Sequence, residues 1–258
     1  MTSTDILKTL KDPYDQKARV FPGLLVMMPL LVPLLWIFGP KNPYMTALLG
    51  LIGSCGTIYW LASIARNRGK GLEEKLVAKW GGMPTTLVLR HRDNFLDSTS
   101  KARYHDEIKV KLGIALPSAA EESADPVAAD NAYIGATRQL RELTRGSSHA
   151  LLLKENIAYG FHRNMLAMRP IGFATSMLGI VFGLVLSNVI QLKPLALDFS
   201  NLAEPGLAGG ISLAVSLAMI FAWLNVNELA VRRMGIVYAE RLFECLNALP
   251  AKRKRTGA

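Results

Sequence analysis

The sequence predicts an all-α integral membrane protein: two transmembrane helical hairpins, four spans in total, flanking a mainly helical cytoplasmic domain. Two observations carry this reading. Four runs, Phe21 to Phe38, Tyr44 to Ala65, Pro170 to Leu192 and Gly206 to Asn225, contain no Asp, Glu, Lys, Arg or His. Each approaches the roughly 20 helical residues that cross a hydrocarbon core, and charge-free windows of this length are tolerated mainly in lipid. When the intervening segments are assigned alternately to the two sides, 28 of the 30 lysines and arginines fall on one side. The positive-inside rule makes that side cytoplasmic. The expected setting is therefore a multi-pass protein of the cell inner membrane with both termini in the cytoplasm.

The order of segments is then a cytoplasmic N-terminal segment (1–20), a first transmembrane hairpin (21–65), a basic cytoplasmic helical domain (66–169), a second hairpin (170–225), and a cytoplasmic amphipathic helix with a basic tail (226–258). In the first segment Asp5, Asp12 and Asp15 dilute the basic leader, and Gly39, Pro40 and Lys41 do not form a small-x-small cleavage site. The first run therefore reads as an uncleaved anchor. Pro29 and Pro33 lie inside it and each removes a backbone donor, which neighbouring helices must compensate. The turn Gly39 to Pro43 permits only a tight reversal, and Lys193 to Pro205 forms a longer second turn.

Within the central domain, Leu72, Leu76 and Trp80 share one face of a short juxtamembrane helix that Gly81 and Gly82 end. Over Met83 to Asp97 the stretch Thr85 to Leu89 fits a strand or a helical turn, and the segment is read as helix. Asp97 or Ser98 caps a helix that stops at Gly113 and aligns Tyr104, Ile108 and Leu112. Pro117 to Ala124 reads as an acidic loop. Asp125 and Pro126 start the next helix and Gly146 stops it, with Tyr133, Ile134, Leu140 and Leu143 as its buried side. Leu151 to Met168 forms a further helix leading into the third span, where Pro170 places a bend. The fourth span is expected to continue into Val226 to Leu249 as one rod of about 66 Å.

Inside the membrane the informative residues are small. Gly172, Ser176, Gly179 and Gly183 recur at intervals of three or four, and Gly50, Gly53 and Gly56 do so in the second span. Without Cβ bulk helix axes approach closely, which serves packing within one chain or self-association of several. No ionisable group lies at depth, which argues against an ion-coupled transporter or proton pump but not against a passive pore.

The net charge of +10 is accounted for by topology signalling and attraction to anionic headgroups of the lipid bilayer, without nucleic acid. Arg90, Arg92, Lys101 and Arg103 form a candidate phosphate cradle, and Arg163 and Arg169 are placed to reach headgroups. Glu121, Glu122 and Asp125 lack the spacing of a calcium loop and read as solvated. The four histidines come without a hydrolase, Walker or dinucleotide motif, and Arg90 to Asp93 reads as an exposed charged turn. Cys55 and Cys245 indicate neither a disulfide framework nor a zinc site. No metal, no cofactor and no catalytic residue is assigned.

These features favour a non-enzymatic protein that couples a cytoplasmic module to a four-helix membrane region, as an oligomeric pore or membrane effector. The alternatives are a scaffold recruiting a cytoplasmic protein partner, and a membrane enzyme acting on lipid headgroups through His91, Asp93 or His162.

Overall fold

The computed structural model describes residues 12–38, 43–44, 47, 50, 55–145 and 149–250. It is predominantly helical. Three consecutive helical segments, Pro13–Asp15, the π-helical Gln16–Val20 and Phe21–Phe38, together form α1. There follow α2 (Cys55–Trp80), α3 (Pro84–Leu89), α4 (Ser98–Leu112), α5 (Ala119–Ala124), α6 (Pro126–Leu143) and α7 (Ala150–Leu186). An antiparallel ribbon of β1 (Ile190–Leu192) and β2 (Leu195–Leu197), a 3-10 turn at Phe199–Leu202, α8 (Gly206–Asn225), α9 (Glu228–Glu244) and a second 3-10 turn at Cys245–Ala248 come next.

Contacts divide the chain into two units. The first comprises Met1–Leu72 and Gly160–Glu228, the second Glu73–Tyr159 and Leu229–Ala258. Among the described residues, three helices are long and apolar enough to cross a membrane: Pro13–Leu35, Ala150–Leu186 and Gly206–Asn225. Eight residues of the expected second span, Tyr44 to Ala65, lie outside the described residues: 45–46, 48–49 and 51–54.

The first unit packs α1, the N-terminal part of α2, α7 and α8 around Val26, Ala65, Met165, Met168, Met219 and Trp223. Prolines shape its polar contacts. Pro22 lacks the N–H that would close the α-register bond to the Ala18 carbonyl; the chain is π-helical there, and Asn164 Nδ2 donates to that carbonyl at 2.5 Å. Two further hydroxyls donate to helix carbonyls that no proline deprives of their donors, Thr175 Oγ1 to that of Val26 (2.7 Å) and Ser212 Oγ to that of Gly179 (3.0 Å). The outward faces of α7 and α8 remain apolar, with Met177, Leu178, Val181, Leu217, Phe221 and Leu224 all exposed. Such a surface is compatible with a membrane protein and unfavourable in water.

The second unit is built on Val88 and Leu89 of α3, Tyr104, Ile108 and Leu112 of α4, Ala129, Tyr133, Ala136 and Leu140 of α6, and Ala239, Leu242 and Phe243 of α9. Asp97 caps α4 by accepting from Ser100 N–H, and Gly113 ends it at φ 71°, as the sequence predicts. Asp125 likewise caps α6 ahead of Pro126.

Several expectations are corrected. Leu72 to Trp80 is no separate helix, since α2 runs unbroken from Cys55. Pro117 to Ala124 contains α5, closed by a reciprocal capping box between Ser118 and Glu121. Ile134 and Leu143 are exposed, and the buried side of α6 uses Ala129, Ala136 and Thr137 instead. The third apolar run leaves the helix at Leu186, because Asn188 adopts φ 56°, a left-handed conformation that asparagine tolerates better than most residues. Its end, Ile190 to Leu192, is the strand β1 within what was expected to be membrane span. The rod from Gly206 to Leu249 is interrupted: Val226 is extended and α9 begins at Glu228. There Asn225 Nδ2 donates to the Phe221 carbonyl and Asn227 Nδ2 to that of Asn225, so side chains compete with the helical ladder.

Candidate functional site

The charged run Arg90 to Asp93 folds into a polar network in the second unit. Arg90 is 6% exposed and lies at the end of α3. Its Nε and Nη2 donate in parallel to the two carboxylate oxygens of Asp130 at 2.7 Å each, and Nη2 also donates to the Gly81 carbonyl at 2.6 Å. Arg92 Nη2 shares the same Asp130 carboxylate at 2.9 and 3.0 Å, while its Nη1 reaches Glu122 Oε1 at 2.8 Å. The turn expected from sequence is there, but it is only partly exposed: Asp130 holds the Arg90 guanidinium inside, whereas the Arg92 side chain stays 37% exposed.

Glu122, expected to be solvated, is 2% exposed. Its Oε2 accepts from the Tyr133 hydroxyl (2.6 Å) and the His91 backbone N–H (2.7 Å), and its Oε1 from the Arg92 N–H (3.2 Å) besides the guanidinium. Burial by itself would raise the Glu122 carboxyl, but these donors outweigh it and hold the group at about 2. Burial and the adjacent Glu122 push the Tyr133 hydroxyl up. Burial opposes the charge of Arg92, yet Glu122 and Asp130 overcome it and raise the guanidinium further.

The ring Nε2 of His91 lies 3.1 Å from the Pro117 carbonyl and that of His105 lies 2.8 Å from the Leu89 carbonyl, with the two rings edge to face. Burial pushes His105 down from its ordinary value, against the hydrogen bond to the Leu89 carbonyl, which favours the charged ring. Lys101 Nζ donates to the Asp93 carbonyl at 2.6 Å. Arg90, Arg92 and Lys101 therefore commit donors to protein acceptors and act as a staple that fixes residues 81–98. Arg103 is exposed, over the ring of Tyr104 and at the edge of ion-pair distance from Glu107.

The other sequence-derived residues lie in the first unit. Arg163 is buried, its Nε donating to Asn164 Oδ1 at 3.3 Å, and Arg169 lies over the Phe173 ring. A Cβ added at Gly172 would come within 2.1 Å of the Trp223 ring, one at Gly179 within 2.3 Å of Ser216 Oγ, and one at Gly183 within 2.9 Å of Leu213. These three glycines are where α7 meets its neighbours within the chain, and Ser176 donates to the carbonyl of Gly172. An added Cβ at Gly50 meets nothing within 4 Å. Gly53 lies outside the described residues, and the surroundings of Gly56 are not among those described.

One feature of the second unit escaped the sequence reading. A cavity of about 460 Å³ opens beside the C-terminal turns of α6, lined in part by Arg138, Arg141 and Arg145, with Leu152 and Leu153 of α7 and Tyr238 of α9 forming its apolar wall. The i, i+3, i+7 spacing of the arginines was the available signal, since it stacks them along one helical face. Among the described residues no group of three metal-ligating side chains comes together.

Comparison of the chain with protein-family models, curated proteins and solved structures finds no match.

Proposed function

We propose that this chain is a non-enzymatic inner-membrane protein with four spans and cytoplasmic termini, in which the second unit is a cytoplasmic module coupled to the membrane helices, and that several copies assemble into a pore or membrane-perturbing effector. The observation that carries the reading is the apolar outer surface of the first unit, where Met177, Leu178, Val181, Leu217, Phe221 and Leu224 face outward while small and polar residues are turned inward. This is the arrangement expected of helices dissolved in lipid and packed through close approaches.

The topology is supported by the cation asymmetry, and the fourth span is assigned to Tyr44 to Ala65, whose end is the start of α2. Coupling is supported by α7, one unbroken helix from Ala150 to Leu186. The open surroundings of Gly50 support self-association through the second span. The partners of this reading are an anionic bilayer, further copies of the chain, and a cytoplasmic protein.

The test is reconstitution of the purified protein in liposomes with an ion-flux readout, together with a cysteine scan. Ion flux accompanied by oligomers is the expected result, and Arg103→Cys should be labelled from the cytoplasmic side alone. A monomeric, electrically silent protein would eliminate the pore. A scaffold would then remain, favoured by Val127 and Ile134, which lie two turns apart on the exposed side of α6. Stoichiometric crosslinking to a cytoplasmic protein is its test.

A further inference from the structure

We propose that the cavity beside the end of α6 binds a phosphomonoester. Its volume of about 460 Å³ falls within the range of roughly 300–1,000 Å³ typical of small-molecule sites. The inference stands apart from the pore reading, since binding is measured directly and needs no ion flux.

The case rests on a contrast between two sets of arginines in the same unit. Arg90 and Arg92 are met by Asp130, Glu122 and Asp93. Arg138, Arg141 and Arg145 are exposed and, among the described residues, their side chains form no ion pair or hydrogen bond. Like charges three and four residues apart on a helix repel, and the negative end of the helix dipole offsets only part of this. Among the described residues Glu142 is the one carboxylate lining the cavity, so their charges sum to about +2 at neutral pH.

A phosphomonoester carries about −1.5 to −2 at that pH and has three strong acceptor oxygens. The guanidinium fork matches them two at a time, which an ammonium cannot do. A bare anion would not need Leu152, Leu153 and Tyr238; that apolar wall accommodates the organic part of a phosphorylated ligand. Asn156 adds a neutral amide able to orient it. The ligand is either a free phosphorylated metabolite or the headgroup of a phosphomonoester lipid, which share this chemistry.

The experiment uses the full-length protein in nanodiscs. In phosphatidylcholine nanodiscs, glycerol 3-phosphate is titrated calorimetrically; in a second arm, phosphatidic acid is added to the bilayer and amide exchange is followed over residues 134–145. Saturable binding in the first arm identifies a soluble ligand, and protection in the second arm alone identifies a lipid headgroup. In whichever arm responds, Arg141→Gln weakens the response about tenfold or more, Glu142→Gln strengthens it, and Lys109→Gln, on α4, leaves it unchanged. All these side chains are exposed, so the variants fold. Silence in both arms, or an equal loss with Lys109→Gln, overturns the proposal.

Discussion

The Glu122 carboxylate is the group on which the polar network of the second unit depends most, and its removal can be worked through quantitatively. In Glu122→Ala the Tyr133 hydroxyl, at 0% exposure, and the His91 N–H lose their acceptor, while Arg92 retains Asp130. Each buried donor left without a partner costs about 1–3 kcal/mol, whereas the lost ion pair adds little, because the Arg92 side chain is 37% exposed and keeps Asp130. Titration gives a separate figure. The carboxyl lies at about 2 instead of the ordinary 4.5, a difference worth about 3 kcal/mol. Because the folded value is depressed, this stabilisation is complete above pH 4.5 and is lost as the pH falls toward 2. Native-state hydrogen exchange on the full-length protein is the assay. With opening about 3 kcal/mol easier, the amides of residues 84–97 should exchange roughly a hundredfold faster in Glu122→Ala. Glu122→Gln, which cannot titrate, should flatten the loss of protection between pH 4.5 and 2. An unchanged acid slope in Glu122→Gln, or exchange within threefold of wild type in Glu122→Ala, would refute the assignment.

Other perturbations probe separate contacts. Gly172→Ala drives a methyl into the buried Trp223 ring and should destabilise the first unit by about 1–3 kcal/mol, whereas Gly50→Ala, with open space around it, should leave unfolding in mixed micelles unchanged or slightly improved. Asn164→Ala removes the side-chain donor to the Ala18 carbonyl and should cost about 1–3 kcal/mol in the same assay. His105 is pushed below its ordinary value of 6.5, so its contribution is present above that pH and lost on acidification. His105→Gln keeps a donor for the Leu89 carbonyl and should remove the part of the acid destabilisation that begins below pH 6.5, leaving the Glu122 step; a melting series against pH separates the two.

Local signals were legible in the sequence and distant ones were not. Asp97 with Gly113, and Asp125 with Pro126, announce helix ends through chemistry confined to a few residues, and the structure places caps and stops there. The helix α5 had such a signal too, in Ser118 and Glu121 three residues apart, masked by the acidity of the stretch. Spacing alone could not choose between alanine and leucine faces of α6, and packing against α3 and α4 selected Ala129 and Ala136. Glu122 was unreadable for a different reason: its donors come from Tyr133 and from residues about 30 positions earlier. The break at Val226 lacked proline or glycine, and only the flanking Asn225 and Asn227 could have marked it.

The fate of the arginines shows why charge density along a sequence is a poor guide to a binding site. Arg90 and Arg92 drew attention because they are close in sequence, yet the fold sets Asp130 and Glu122 against them and makes them structural. A buried guanidinium without a carboxylate would be too costly to maintain, so burial and pairing arise together. Exposed arginines face no such requirement, and water can solvate them without any partner. Three of them gathered on one concave face with only Glu142 nearby form a local field that a folded core does not need. Exchanging the two sets tests this argument: Arg90→Gln should lower stability and leave glycerol 3-phosphate affinity intact at temperatures where the protein is folded, while Arg138→Gln should do the reverse. If both variants lose stability and neither loses affinity, the arginines beside the cavity are part of the scaffold as well.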